Sequence, residues 1–258
     1  MMKQTAGPYD SAFYSTYADD SYLSAKALLP VVQRFVQPKT VIDVGCGVGT
    51  WLRVWNELGT SSVVGVDGGY VEPGDLQIES RSFIPMDLSA PHAIEGAPFD
   101  LAQSLEVGEH LPAAAAARFV GFLCSLSPVV LFSAAIPFQG GTSHVNEQWP
   151  EYWAELFAAN DYCVADVLRP EVWNNSDIAY YYAQNALLFV NRAHLARYPV
   201  IFDSCGVSGC PPLARVHPRK WEQRVKGVPR LEDLIAVVPS SLFAFATRVF
   251  RRARRAIA

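Results

Sequence analysis

The sequence has no apolar run long enough to cross a membrane as a helix. Its longest charge-free stretch near the C-terminus, Leu234 to Thr247, spans 14 residues and contains Pro239, whereas a span needs about 20. The opening Met1-Met2-Lys3-Gln4-Thr5 lacks the apolar core of a secretory signal, so a cytoplasmic location is expected. Cysteine is scarce: the five cysteines form no Cys-x-x-Cys pair, which argues against a disulfide framework or a structural zinc site and for reduced thiols. Charge is low at 18% and net −4, without the clustered Lys and Arg that phosphate contacts require, so nucleic acid is not expected as a partner. The exception is the end of the chain. From Arg248 onward there are five arginines and no acid, against 16 basic and 25 acidic residues before it. What the chain does have is apolar material, 50% of its 258 residues, enough for one large α/β core.

Apolar spacing at Tyr22, Leu23, Ala27, Leu28, Val31 and Val32 predicts a helix, with Asp19, Asp20 or Ser21 as caps and Pro38 as its limit. Val41-Ile42-Asp43-Val44 reads as a strand running into Gly45-Cys46-Gly47-Val48-Gly49, followed by a helix through Trp51, Leu52, Val54, Trp55 and Leu58 that Gly59 closes. Strands at 62–66 and 82–86 each stop at a carboxylate, Asp67 and Asp87. A fourth strand over 99–105, a helix from Pro112 to Cys124 and a fifth, wholly apolar strand over 129–135 continue the alternation, which indicates a parallel sheet between helices. Helix 149–159 and strands 163–168 and 186–190, separated by a turn-like Trp173–Asp177, suggest a closing hairpin. Beyond residue 200 the composition predicts irregular chain until Ser240.

Glycines between a strand and a helix let a ligand approach the backbone at a helix N-terminus. A dinucleotide site would take G-x-G-x-x-G; here the pattern is G-x-G-x-G with Asp43 two residues before it. An acid there repels a pyrophosphate and suits a ligand carrying an ammonium group.

Val41–Leu52 resembles motif I of the class I S-adenosylmethionine-dependent methyltransferases. The resemblance extends through Val66-Asp67-Gly68, Met86-Asp87-Leu88, Ser104–Leu111 and Gly140–Trp149, over about residues 20–192, and is close to a group of bacterial methyltransferases associated with cell-surface polysaccharide and secondary-metabolite genes. It implies an α/β, Rossmann-like class I methyltransferase fold: a mostly parallel seven-stranded sheet with a C-terminal antiparallel hairpin and helices on both faces. It implies S-adenosylmethionine as cofactor and S-adenosylhomocysteine as product. Gly45, Gly47 and Gly49 would make room for the ligand and Asp43 would attract its ammonium group. Asp67, with Gly68 after it, would accept the ribose hydroxyls, and Asp87 the adenine amino group beside Leu88. Gln103, Ser104 and Leu105 would border the reaction centre. The corresponding division is a helical cap over 1–38, a methyltransferase domain over 39–200 and a C-terminal extension over 201–258.

A hydroxyl acceptor must lose a proton, and a neutral histidine suits that task. His144 is the first candidate base, on a pliable glycine loop with Asn146, Glu147 and Trp149 to orient it; His110 is the second, with pairing to a nearby glutamate as its alternative role. Trp149, Tyr152, Tyr181 and Gln184 are expected to line a pocket for a small-molecule acceptor such as a sugar, glycolipid precursor or secondary metabolite. The metal-linked acid pattern of catechol-type methyltransferases is not evident, so metal independence is expected. Two other readings stay open: chemistry on S-adenosylmethionine that releases methylthioadenosine, and a noncatalytic cofactor-binding subunit. At 100° per residue, 242–258 sets Leu242, Phe243, Phe245, Val249, Phe250, Ala253 and Ile257 opposite the five arginines. Such a helix packs on protein, including a second subunit of a homodimer, or lies on the inner face of an anionic membrane.

Overall fold

The computed structural model describes residues 11–204 and 212–226. The amphipathic segment expected over 240–258 lies outside them. Helix α1 (Ser11–Phe35) precedes strand β1 (Thr40–Val44), helix α2 (Thr50–Glu57), β2 (Ser62–Asp67), β3 (Phe83–Pro85) and β4 (Leu101–Leu105). The chain continues through α3 (Ala113–Leu126), β5 (Val129–Ser133), α4 (Pro150–Ala158), β6 (Tyr162–Ala165), α5 (Arg169–Val172), α6 (Tyr180–Asn185), β7 (Leu187–Asn191) and α7 (Pro199–Ser204). A second unit begins at Pro218, and its described residues form α8 (Pro218–Lys226).

The strands make one seven-stranded sheet in the order β3-β2-β1-β4-β5-β7-β6. All pairings are parallel except those of β7, which runs antiparallel to β5 and β6. Strand alternation divides the core. On one face Val41, Leu101 and Leu131 pack with Leu28, Leu29, Trp51 and Trp55 of α1 and α2; on the other Ile42, Val44, Val130 and Phe132 pack with Phe119, Leu123, Trp153 and Phe157 of α3 and α4. After β1 the chain builds outward to β3 and then returns to β4 on the other side of β1. That reversal opens a crevice at the C-terminal ends of β1 and β4, where ligands of open α/β sheets bind.

Three expectations need correction. Helix α1 starts at Ser11, so positions 19–21 lie inside it rather than at its N-terminus. Its buried stripe runs through Ala25, Leu28, Leu29 and Val32, leaving Leu23 exposed, about one residue out of phase with the sequence reading. The turn expected over 173–177 is present, between α5 and α6, whereas the segment beyond 200, expected to be irregular, contains α7 and α8.

The stretch 213–217 is tied back to the sheet unit. Glu151 accepts from the Leu213 and Ala214 amides, both at 2.8 Å. Arg169, fully buried, forks onto Asp166 at 2.7 Å through two nitrogens and donates to the carbonyls of Gln184 and Leu213.

Candidate active site

The glycine loop leaves β1 with Gly45 at φ 86, Gly47 at φ 53 and Gly49 at φ 83, all in the left-handed region that favours glycine. A side chain at Gly45 would also collide with Val107, so this turn packs backbone directly against the β4 exit. Below it Asp43 is 2% exposed, in register with Gln103 on β4. Burial pushes its carboxyl up to about 8, partly opposed by the Gln103 amide and reinforced by Asp67. Gln103 accepts from the Trp55 indole at 2.8 Å, and its own amide nitrogen is buried without a hydrogen bond. No ion pair reaches Asp43 among the described residues, so the loop rests on a buried acid that a ligand's cation would relieve.

Asp67 ends β2 and is 4% exposed. Its oxygens accept from the Gly47 amide at 2.6 Å, the Gly68 amide at 2.6 Å and the Tyr70 hydroxyl at 2.5 Å. Burial raises its carboxyl above the usual range, and these three donors pull it back. Asp87 is exposed; both the Ser89 amide and hydroxyl donate to its Oδ1, holding the carboxyl below its ordinary range. Met86 and Leu88 flank it, buried.

At the opposite end the chain leaves β4 through Glu106, whose φ of 55 is unusual for a non-glycine residue and marks strain that the surroundings must hold. Asn185 and Gln139 donate to its two carboxylate oxygens at 3.1 and 2.6 Å, and its amide reaches Ser133. A 3-10 turn over Gly108–His110 then presents Glu109 and His110. His144 faces them, its ring crossing that of His110 at 84° with centroids 4.8 Å apart. Glu147 accepts from the Phe138 amide at 2.7 Å, the Gly140 amide at 2.6 Å and His144 Nδ1 at 2.9 Å, so one carboxylate fixes both the loop and the ring. Burial, with His144 adding to it, drives His110 down to about 4, which keeps it neutral.

One cavity of about 620 Å³ joins the two ends. Of the residues singled out in the sequence, Gly45, Gly47, Asp67, Gly68, Asp87, Leu88, Leu105, His110, His144 and Tyr181 line it. Asp43 and Ser104 sit behind the wall, the Ser104 hydroxyl donating to the Val44 carbonyl at 2.8 Å. Gly49 packs against Ile78. Trp149, Tyr152 and Gln184 do not line the cavity. Trp149 immediately precedes α4 and is 40% exposed, and Tyr152 packs on Trp153. Gln184, fully buried, donates to Asn185 at 2.9 Å and accepts from the His217 amide at 2.8 Å, so it supports the wall from behind. The lining also contains Ser21, Thr50, Tyr70, Glu106, Glu109 and Gln139, which the sequence reading did not assign to a pocket. Only the spacing Glu106-x-x-Glu109-His110 carried a usable signal for them.

Residues 17–168 match a family described as "Methyltransferase domain". No curated protein sequence matches. Among solved structures, an O-methyltransferase family protein from Burkholderia thailandensis is 16% identical at TM-score 0.52, over 71% of this chain and 60% of that one. The plantazolicin methyltransferase BpumL in complex with SAH is 16% identical at TM-score 0.50, over 70% and 89%. A putative O-methyltransferase from Nostoc punctiforme PCC 73102 is 12% identical at TM-score 0.50, over 74% and 63%. The chain thus spans about 60% of the length of the Burkholderia protein, and at these identities the likeness concerns the fold. The glycine loop, the sheet order and a family match over more than half of its length make this chain a member of the methyltransferase domain family, built on the class I S-adenosylmethionine-dependent methyltransferase fold.

Proposed function

We propose that the protein transfers a methyl group from S-adenosylmethionine to a hydroxyl of a small-molecule acceptor, a sugar, glycolipid precursor or secondary metabolite. The observation that carries this reading is the single cavity with Asp67 and the glycine loop at one end and the His110–His144 pair at the other. When bound, S-adenosylmethionine supplies an electrophilic methyl group. The residues present fit it: Asp43 is a buried acid without a cationic partner, Asp67 and Asp87 offer acceptors at the strand ends, and Met86 and Leu88 offer an apolar wall. In this reading Asp43 draws the ammonium group through the loop, Gly45 and Gly47 give it room, and Asp67 accepts the ribose.

The acceptor then lies against Tyr180, Tyr181, Tyr182 and the histidine pair, where proton removal takes place. Ser21 of α1 also reaches the wall, so the N-terminal cap closes the acceptor side of the domain. A volume near 620 Å³ suits small molecules, and displacement at the methyl carbon gains mainly from holding the two reactants in line. The test is a screen of activated sugars and small phenols with labelled S-adenosylmethionine, followed by chromatography of the spent cofactor. S-adenosylhomocysteine together with a labelled product supports methyl transfer. Methylthioadenosine indicates intramolecular displacement, and binding without any product indicates a noncatalytic subunit; either outcome removes the proposal.

A further inference from the structure

Glu109, His110 and His144 each offer a donor atom, and these atoms all lie within 4.8 Å of one another. Glu109 is fully buried, and neither oxygen of its carboxylate has a hydrogen-bond partner. The amides of Glu109 and Ala135 favour its charged form, while burial and the neighbouring Glu106 carboxylate oppose it. No Lys or Arg ion pair reaches it among the described residues; the nearest imidazole nitrogen is His144 Nε2, 4.0 Å from Oε1. A second carboxylate, that of the half-buried Glu106, stands beside it. Two acids packed together in this way call for a proton or a cation between them.

The histidines are set for the cation. With Nδ1 held at 2.9 Å by Glu147, His144 keeps its proton there and turns the lone pair of Nε2 toward Glu109. That carboxylate–imidazole arrangement is how proteins orient metal ligands. The Ser143 backbone holds His110 in turn. A side chain at Gly141 would collide with His144 Nε2, so glycine at this position leaves that nitrogen uncrowded by the loop.

We propose that Glu109, His110 and His144 hold a divalent first-row cation on the acceptor side of the cavity. Two imidazoles and one carboxylate form a mixed donor set suited to manganese, iron, cobalt or zinc, with coordination positions left open. This departs from the metal independence expected from the sequence. The role of the cation rests on the methyl-transfer reading: an acceptor hydroxyl on an open position would be polarised and more acidic, and the histidines would then serve as ligands. Its binding does not rest on that reading.

The test uses the full-length chain, stripped with a chelator and titrated with MnCl2 while the signal of free Mn2+ is followed by electron paramagnetic resonance. One ion per chain is expected, bound at least about tenfold more tightly than in Glu109→Gln or His144→Ala. Uptake that is absent from the unmodified chain, or unchanged in both variants, overturns the site and leaves a proton shared between Glu106 and Glu109. Because either variant can fail to fold, Co2+ is also added to the unmodified chain. Visible absorption that one equivalent of Zn2+ removes supports the site, and no such absorption overturns it. A parallel calorimetric titration with S-adenosylhomocysteine separates the two proposals: nucleoside binding without Mn2+ uptake removes the cation site, whereas Mn2+ uptake without nucleoside binding keeps it and removes the methyl-transfer reading.

Discussion

The Tyr70 hydroxyl donates to Asp67 Oδ1 at 2.5 Å. With the Gly47 and Gly68 amides, this places three protein donors on a carboxylate that has roughly four acceptor positions. On the proposed reading a ribose would take two of them, so its arrival would displace Tyr70. We predict that Asp67→Ala weakens S-adenosylhomocysteine binding by tenfold or more, since hydrogen bonds to charged groups are worth about 1.5–3 kcal/mol. Tyr70→Phe should tighten binding by a few-fold. Calorimetry on both variants decides it; unchanged affinity in Asp67→Ala would take that residue out of the site.

His144→Ala should lower turnover by about 100-fold or more, in line with the loss of proton handling at the acceptor, while nucleoside affinity stays within a few-fold. Glu147→Gln should cost about 10–100-fold, because the ring loses its charged anchor but keeps its place. Steady-state kinetics beside calorimetry checks both. Equal turnover in the His144 variant and the parent chain would sink the assignment.

Asp43 gives a prediction in pH. Its carboxyl is raised to about 8 in the fold, against about 3.9 in an unfolded chain. The group's contribution to stability is therefore complete below about pH 4 and is lost as pH climbs through about 8. We expect ligand-free Asp43→Asn to melt above the parent chain at pH 8, by several degrees at about 2–4 °C per kcal/mol, with the gap closing near pH 4. The same variant should lose most of the stabilisation that S-adenosylhomocysteine gives the parent. Thermal scans at the two pH values, with and without the nucleoside, provide the check, and a gap that is the same at both would contradict the argument.

Gly45→Ala should be poorly tolerated, because φ 86 strains an alanine backbone and the new methyl meets Val107. Adding Val107→Ala removes the collision but not the strain. Chemical denaturation should therefore show only partial recovery in the double variant, and full recovery would show that crowding was the whole effect.

The glycine-loop end of the cavity was readable in the sequence because its determinants are local. A glycine loop between a strand and a helix, and acids that stop strands, declare themselves within a few residues, and the register of β1, β2 and β3 brings Asp43, Asp67 and Asp87 to one edge. The histidine end depends on contacts between distant segments. Glu106 meets Gln139 and Asn185 across 33 and 79 residues, and nothing in either neighbourhood announces the partner. Gln184 and Tyr181 sit three residues apart on α6, yet one supports the wall and the other faces the cavity. Their difference is set by helical phase on α6, a helix that the sequence pattern did not announce. The strip in α1 was misread by about one position for a related reason: Ser24, fully buried, is a polar residue on the core side, accepting from the Ala179 amide at 3.0 Å.

The bonds that Glu151, Arg169 and Gln184 make to residues 213–217 bear on where this chain can be cut. Ending it at 200 would strip Arg169 of a carbonyl acceptor and Glu151 of both amides, leaving a guanidinium and a carboxylate short of partners inside the protein. Ending it at 217 would keep every one of these pairs. A trimmed version for crystallisation should thus express and resist protease as the longer form and be degraded as the shorter one, with gel densitometry after timed digestion as the measure. The segment from 213 to 217 is short in sequence, but it is the clasp that lets the sheet unit end.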